Sequence, residues 1–256
     1  MIPKNFQIKC FIIHLHRAEK RKENVQTIIS NLKLETEVID AVDGNELTFD
    51  EISNYKSKKN LYKPNYPFKI NNGEIGCFLS HRSVWKKIVE EKLDFALIFE
   101  DDIQIDYKNF EQSFKVGLNH IKKLGYIQFQ TRKITNYALE LDNVNGIKIL
   151  KPKTIPLRTS AQLISYDTAL NLLNKSIKID RPVDGFLQLF WSTKQNISLI
   201  QPSGITDITH ISGGSMISNK KSIYSSIIRA IVRLYYRIKI KFYSKIFRNI
   251  LIKDIS

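Results

Sequence analysis

Three adjacent carboxylates, Glu100, Asp101 and Asp102, follow an apolar run from Phe95 to Phe99. Like charges repel one another, and carboxylates seldom end a buried strand without a cationic partner. Along an extended backbone the side chains alternate, so Glu100 and Asp102 face one side and Asp101 the other. Two carboxylates on one side suit a hard divalent cation such as Mg²⁺ or Mn²⁺. An acidic turn exposed to solvent explains the triplet equally well.

A divalent cation bound by carboxylates commonly keeps coordination positions open for phosphate oxygens. A metal, a diphosphate and a sugar nucleotide therefore form one consistent hypothesis for residues 100–102. A metal-dependent nuclease or phosphatase would also account for these three residues. On this segment alone, both hypotheses stay open.

A further carboxylate, Asp184, lies in the segment RPVDGF. If Pro182 is the first residue of a short helix, Asp184 is the third, where a carboxylate interacts favourably with the helix dipole. The alternative role is that of a general base, which takes the proton from a hydroxyl group as the hydroxyl attacks. Asp184 is therefore a candidate catalytic residue with a structural alternative.

Residues that follow the first predicted strand are candidates for binding a nucleotide. His16, Arg17 and Arg21 lie where a strand passes into a helix, a position from which basic groups reach phosphates. Arg21 equally suits a helix face exposed to solvent. Asp43, in the segment AVDG, could hydrogen-bond a base or a ribose, or it could belong to a turn in which Gly44 has a positive φ.

Three further residues lie close to apolar stretches. His81 lies on a predicted helix and could donate to a phosphate or a sugar, although a histidine beside a core stripe is more often a structural hydrogen bonder. The two cysteines, Cys10 and Cys77, occupy apolar segments and are predicted to be free core thiols in a reducing compartment.

The elements that must position these residues alternate between strands and helices. Apolar periodicity predicts strands at 6–15, 35–44, 95–102, 125–130, 146–152 and the start of 159–176, and helices at 16–34, 74–92, 110–124, the rest of 159–176 and 181–191. Residues 53–72 are predicted to form a long surface loop. The strand–helix–strand order predicts an α/β fold with a mostly parallel sheet, whose carboxyl edge lines the ligand crevice.

The charge of the chain is strongly positive. Its 256 residues carry a net charge of +15, which predicts an anionic partner: a nucleotide, a nucleic acid or an anionic membrane surface. Residues 219–256 hold ten basic residues and one acid, so most of the excess charge lies in this segment. No zinc-finger, RNP or KH signature is present, and a nucleic-acid partner is therefore not predicted.

The C-terminal segment predicts a basic amphipathic helix. Its isoleucines and Phe242 recur every three or four residues, and basic residues recur every four on a neighbouring stripe. This pattern is typical of a helix that lies in a membrane interface, and a helix packed on its own domain or in a dimer is the alternative. We therefore expect a domain at 1–218 and a membrane-associating tail at 219–256. With no signal peptide and no spanning segment, the predicted location is cytoplasmic, on the inner face of the membrane.

Six segments in order resemble glycosyltransferase family 25: FIIHLHRAEKR, AVDG, GEIGCFLSHRSVWKKI, ALIFEDD, TSAQLIS and RPVDGF. The most specific part is GEIGCFLSH followed by EDD, and the resemblance covers residues 6–191. The family comprises bacterial lipooligosaccharide glycosyltransferases, often β-1,4-galactosyltransferases, and is related to the collagen-hydroxylysine galactosyltransferases. Gln162 departs from the family, which tends to carry an aromatic residue there, and nothing after Trp191 aligns.

The resemblance implies a GT-A fold, which is an α/β/α sandwich that binds a sugar nucleotide, and it implies that EDD replaces the D-x-D motif. Asp102 would then bind Mn²⁺ or Mg²⁺ at the donor diphosphate, and Glu100 would contact the metal or the ribose. Asp101 would face either the site or the protein. His210, in THISGGS, would add a metal ligand, as a C-terminal histidine does in many enzymes of this fold, and the glycines after it could form a closing loop.

The implied activity is an inverting transfer with Asp184 as the base. The resemblance favours galactose from UDP-galactose as the donor sugar and a lipid-linked lipooligosaccharide as the acceptor. A nucleic-acid-binding protein or a metal-dependent nuclease is the alternative.

Overall fold

The computed structural model describes residues 6–209 and helix 223–253, with side chains in that helix from 227 to 248. The strands are β1 (Ile8–His14), β2 (Thr36–Asp40), β3 (Phe95–Glu100), β4 (Ile103–Ile105), β5 (Tyr126–Phe129), β6 (Tyr137–Val144), β7 (Ile147–Pro152), β8 (Ala161–Ser165), β9 (Ser198–Gln201) and β10 (Ile205–Asp207). The helices are α1 (Lys22–Asn31), α2 (Phe49–Tyr55), α3 (Asn72–Glu90), α4 (Tyr107–Leu124), α5 (Tyr166–Lys175), α6 (Val183–Leu187), α7 (Phe190–Thr193) and α8 (Ile223–Lys253).

Eight of these strands form one sheet in the order β2-β1-β3-β8-β5-β9-β7-β6. The pairings make six of the eight strands run in one direction, while β7 and β8 run in the other. The predicted α/β fold with a mostly parallel sheet is thereby confirmed. β4 and β10 form a separate antiparallel ribbon beside the end of β3.

The sheet is covered on both faces, which explains why its central strands are almost continuously apolar. On one face, Phe11 and Ile98 pack in a cluster with residues of α3, α5 and α6. On the other face, Ile12 and Leu97 pack with residues of α1 and α4. The predicted α/β/α layers are therefore present, and the carboxyl ends of β1 and β3 lie side by side, with Ile13 opposite Glu100.

Helix α8 docks on this sandwich along one narrow face. Tyr236 and Ile240 are buried against Leu189, and Tyr62 and Trp191 pack at the border of the same cluster. The apolar stripe predicted to meet a membrane points away from the domain and is exposed. The exposed apolar side chains of α8 are Ile227, Ile228, Ile231, Leu234, Tyr235, Ile238, Phe242 and Ile246. The predicted boundary at 218–219 lies outside the described residues. No described helix is long and apolar enough to cross a bilayer.

Candidate active site

Glu100, the last residue of β3, is held by side chains from two other elements. Its Oε1 accepts from His81 Nε2 on α3 at 3.0 Å and from Thr159 Oγ1 at 2.5 Å. Burial opposes ionisation of Glu100, but the hydrogen bonds from His81 and Thr159 and the charge of Arg21 outweigh it and keep the pKa of the carboxyl below its ordinary value. Glu100 is therefore a carboxylate of fixed orientation, and His81 contacts it directly.

Gln162 organises the other side of His81. The amide nitrogen of Gln162 donates to the Thr159 carbonyl at 2.6 Å and lies 3.5 Å from His81 Nδ1, while its oxygen accepts from the Tyr126 hydroxyl. An N–H directed at Nδ1 favours the imidazole tautomer that carries its proton on Nε2, the atom facing Glu100. The residue that departs from the family pattern thus lies fully buried behind the carboxylate.

Asp101 turns toward the protein. Its carboxylate accepts from Arg21 Nη1 at 2.5 Å and from His14 Nδ1 at 2.7 Å, and the three side chains are almost completely buried. The hypothesis of a solvent-exposed Arg21 is wrong, because the guanidinium lies beneath the β1–α1 connection and neutralises a buried carboxylate. Asp101 lines the first cavity described below, but both of its oxygens are engaged in this network.

Asp102 lies at the surface of the cleft. Its Oδ2 accepts from Thr209 Oγ1 at 3.0 Å and lies 3.4 Å from Arg21 Nη1. Burial, and then the charge of Glu100, raise the pKa of Asp102 to about 6. Asp102 and Glu100 therefore form a pair of carboxylates whose mutual repulsion is incompletely balanced by the described residues.

This pair fits a divalent cation of the Mg²⁺ or Mn²⁺ kind, because both residues offer carboxylate oxygens and a cation would relieve their repulsion. Cys77, His81 and Glu100 also bring one ligand atom each within 4.8 Å of one another. That second group does not suit the same cation, since burial raises the pKa of the Cys77 thiol and His81 Nε2 already binds Glu100. His210, the third predicted ligand, and the glycines at 213–214 lie outside the described residues.

The first cavity lies between the ends of β1 and β3 and the turn at residues 41–44. Arg17 Nε donates to the Asp43 carboxylate, and this contact lowers the pKa of Asp43. Arg17 and Asp43 both line the cavity, whereas His16 is exposed and does not line it. The structure thus brings Arg17, Asp43 and the acidic pair to one pocket.

The turn that carries Asp43 crosses the first turn of α3 at very short range. A Cβ atom on Gly76 would lie 2.4 Å from the Val42 carbonyl oxygen, and one on Gly44 would lie 1.9 Å from the Asn72 carbonyl oxygen. Ser80 Oγ accepts from Val42 N at 2.9 Å and adds a tie across the crossing. Gly44 does not have a positive φ, so close backbone approach explains this glycine.

The second cavity extends from the acidic pair across Asp184 to α8. Pro182 caps α6, so the helix begins at Val183 and Asp184 is its second residue, not its third. Asp184 Oδ1 accepts from Gly185 N at 2.6 Å, and burial raises the pKa of the carboxyl to about 6. Its Oδ2 has no hydrogen-bond partner among the described residues, and the carboxyl lines the cavity.

The two cavities meet at the acidic pair. Glu100 and Asp102 line both, together with Cys77 and Thr209. A molecule in the first cavity and a molecule in the second would therefore approach each other beside two carboxylates. This arrangement suits a reaction between two substrates.

A sequence model of glycosyltransferase family 25 (LPS biosynthesis protein) matches residues 7–187. The chain belongs to glycosyltransferase family 25. The matched segment contains the acidic pair, His81 and Asp184, and the family predicted from the six motifs is confirmed.

Curated relatives in family 25 are larger than this chain. The chain is 36% identical over 206 residues to a glycosyltransferase 25 family member from Drosophila pseudoobscura pseudoobscura and 28% identical over 186 residues to procollagen galactosyltransferase 1-A from Xenopus laevis. These alignments cover 73% and 71% of this chain but 30% of each relative, so the chain spans less than a third of their length.

One relative in family 25 is described as inactive. Human inactive glycosyltransferase 25 family member 3 is 30% identical over 199 residues, which cover 73% of this chain and 32% of that protein. Among solved structures, a glycosyltransferase involved in the glycosylation of the major capsid of PBCV-1 is similar over 64% of this chain and 62% of its own. Its TM-score of 0.34 and identity of 13% are too low to carry a structural argument.

Three residues that complete the candidate site are not among those predicted from the sequence. Thr159 and Thr209 donate to Glu100 and Asp102, and Gln162 lies behind His81. The departure of Gln162 from the family pattern was a signal that this position is special. Hydroxyl groups such as those of Thr159 and Thr209 carry no comparable signal, because threonines are common in loops.

Proposed function

We propose that this chain is an inverting glycosyltransferase that moves a hexose from a UDP-sugar to a glycan acceptor. The observation that supports the proposal most strongly is the junction of the two cavities at Glu100 and Asp102. The first cavity would hold the donor, with Arg17 and Asp43 toward the nucleotide. The second would hold the acceptor, with Asp184 beside its reacting hydroxyl.

Glu100 and Asp102 would bind the divalent cation, with His210 as the predicted third ligand. When bound, the cation supplies positive charge against the departing diphosphate. His81 and Thr159 keep the Glu100 carboxylate in one orientation, and Arg21 and His14 engage both oxygens of Asp101. The chain's own contribution is thus a rigid set of oxygen ligands.

Asp184 would act as the general base. The acceptor oxygen forms a bond to the anomeric carbon, the bond between that carbon and the diphosphate oxygen breaks, and the hydroxyl proton passes to Asp184 Oδ2. Attack from the face opposite the leaving group inverts the anomeric configuration. A pKa raised to about 6 suits this role, because the carboxylate is ionised near neutral pH and is a stronger base than an ordinary aspartate.

For the substrates, we propose galactose from UDP-galactose and a lipid-linked lipooligosaccharide acceptor. The family description names LPS biosynthesis, and a relative is called a procollagen galactosyltransferase, which supports galactose as the sugar. The test is the release of UDP from a panel of UDP-sugars in Mn²⁺, with and without truncated lipooligosaccharides. Absence of UDP release with every donor, in a protein shown to be folded, would refute the proposal.

The exposed stripe of α8 supports a peripheral position on the cytoplasmic face of the inner membrane. Ile231 and Ile238 are 63% and 55% exposed, and basic residues flank their stripe. Replacing both by serine should leave folding unchanged and weaken sedimentation with anionic liposomes. If the double variant instead turns a dimer into a monomer and binds liposomes normally, the stripe is a dimer interface.

A further inference from the structure

Five basic side chains line the second cavity without an ion pair or a side-chain hydrogen bond to any described residue. They come from α8 and from two loops: Lys133, Lys153, Arg233, Arg237 and Lys241. A sixth, Arg158, forms an ion pair with Asp207. Unpaired cations that share one cleft repel one another, so an anion bound among them would be stabilised.

Three of the five belong to one edge of α8. Arg233, Arg237 and Lys241 are spaced by four residues, which places them along one side of the helix over about 12 Å. The docked side chains of Tyr236 and Ile240 fix the rotation of α8, so this edge faces the cavity while the apolar stripe faces away. The orientation of these cations is therefore determined by packing and not by a chance surface arrangement.

The acidic residues of the same cavity lie on other elements. Glu100 ends β3, Asp102 follows it and Asp184 belongs to α6, where the reaction is proposed to occur. Glu74, in the first turn of α3, also lines the cavity. Asp207 is neutralised by Arg158. The cavity thus has a negative end at the reacting groups and a positive wall on α8.

We infer that the acceptor carries anionic groups, phosphate or carboxylate, on sugars next to the accepting residue, and that Arg233, Arg237 and Lys241 bind them. This inference rests on the proposed function and specifies its acceptor class. Guanidinium and ammonium groups bind phosphate and carboxylate through charge-assisted hydrogen bonds. The donor diphosphate is a less suitable partner, because none of the side chains described in α8, from 227 to 248, lines the first cavity.

The test compares a triple variant, R233Q/R237Q/K241Q, with a matched control, K108Q/K239Q/K245Q. The control removes the same charge from exposed lysines that line neither described cavity, and two of them lie on α8. The probe is a fluorescent lipooligosaccharide core in three forms: intact, freed of phosphate by hydrofluoric acid, and with its carboxyl groups reduced. Equilibrium binding is measured with the full chain at several salt concentrations.

The wild-type protein should bind the intact core at least ~10-fold more tightly than the form that lacks the recognised anion, and the difference should shrink in salt. The triple variant should lose that preference, while the control should keep Kd within ~2-fold of wild type. Loss of binding by the core freed of phosphate would identify phosphate as the recognised group, and loss of binding by the core with reduced carboxyl groups would identify carboxylate.

Three results would overturn the inference. The first is equal affinity of the wild type for all three cores. The second is an equal loss in both variants, which would indicate general attraction or a membrane contact. The third is loss of UDP-galactose binding in the triple variant, which would assign these cations to the donor. UDP release is measured separately, so an enzyme that binds the anionic core but releases no UDP would refute the proposed activity and still support anion binding.

Discussion

Arg181 Nη1 donates to the hydroxyl of Tyr236 at 3.0 Å and thereby joins α8 to the segment that carries Asp184. The guanidinium is fully buried, forms an ion pair with Asp180 and donates to the carbonyl oxygens of Tyr62 and Pro64. Because one side chain ties together α8, the 62–64 loop and the start of α6, the docking of α8 is part of the folded structure around the proposed base.

Replacing Tyr236 by phenylalanine should lower the free energy of unfolding by about 1 kcal/mol, because the buried Arg181 loses one hydrogen bond while the aromatic packing remains. The matched control is Tyr235→Phe, since Tyr235 is 60% exposed and forms no hydrogen bond with any described residue. Urea unfolding of both variants measures the difference. Equal stability of the two variants would mean that the Arg181–Tyr236 contact does not stabilise the docking of α8.

The neighbours Asp101 and Asp102 should respond oppositely to substitution by asparagine. Asp101→Asn removes the buried negative charge that Arg21 Nη1 contacts at 2.5 Å and His14 Nδ1 at 2.7 Å, and it should lower stability by about 3–5 kcal/mol. Asp102→Asn keeps an acceptor for Thr209 and removes a charge that burial disfavours, so its Tm should hold or rise.

For Asp102→Asn we expect transfer in Mn²⁺ to fall by at least ~100-fold. Thermal denaturation and UDP release, measured on both variants, separate the two roles. Wild-type turnover in Asp102→Asn would contradict the proposed metal site.

Asp184→Asn should abolish most transfer, by ~10²–10⁴-fold, because a general base is lost. It should also stabilise the protein at pH 7.5 by about 1–2 kcal/mol. Burial raises the folded-state pKa of Asp184 from 3.8 to about 6, so the protonated form is the one that the fold favours. The stabilisation of the wild type by protonated Asp184 is complete below pH 3.8 and is lost as the pH rises through 6. The asparagine variant should therefore be no more stable than the wild type in acid.

The control for Asp184 is Asp167→Asn, which changes an exposed carboxylate in the first turn of α5. Wild-type transfer should fall about tenfold per pH unit below pH 6. A stable Asp184→Asn enzyme with unchanged turnover would show that Asp184 has a structural role only.

Two helical glycines should respond in opposite ways to alanine. On Gly76 a Cβ atom would meet backbone atoms of residues 42 and 44 within 2.7 Å, and the variant should lose ~2–3 kcal/mol. On Gly117 of α4 the nearest atom is a side-chain carbon of Leu163 at 3.5 Å, so alanine should be neutral or stabilising by up to ~1 kcal/mol. Equal effects of the Gly76 and Gly117 substitutions on Tm would contradict the close approach between the turn at residues 41–44 and α3.

The order of elements could be predicted because periodicity is local, as in β1, β3, α3 and α4. The position of β8 could not: it runs antiparallel between β3 and β5, and the choice of neighbouring strand depends on pairing between distant residues. The β6 strand is likewise not predicted from the sequence, since the alternation in Tyr137–Val144 is confined to residues 139–142 and the strand lies at the edge of the sheet.

Within the candidate site, the acidic pair and Asp184 could be proposed from the sequence because carboxylates at strand and helix ends are conspicuous. The burial of Arg21 could not be predicted, because a basic residue after a strand has the same local pattern whether it faces solvent or a buried Asp101. The face of α8 that packs against the domain could not be predicted from the sequence either. Its isoleucine stripe is the exposed one, and the buried side chains Tyr236, Ile240 and Ser244 recur every four residues but are not uniformly apolar.

The family match ends at residue 187, whereas α8 begins at Ile223. In the proposed enzyme, Glu100, Asp102 and Asp184 lie within the matched segment, whereas Thr209, the predicted ligand His210 and the positive wall on α8 lie outside it. Acceptor preference can then diverge by replacing a single helix while the chemistry stays unchanged. A chimera that keeps residues 1–222 and receives, in place of α8, a helix with a different arrangement of charges would, on this view, change its choice of acceptor, provided that the graft retains a tyrosine for Arg181.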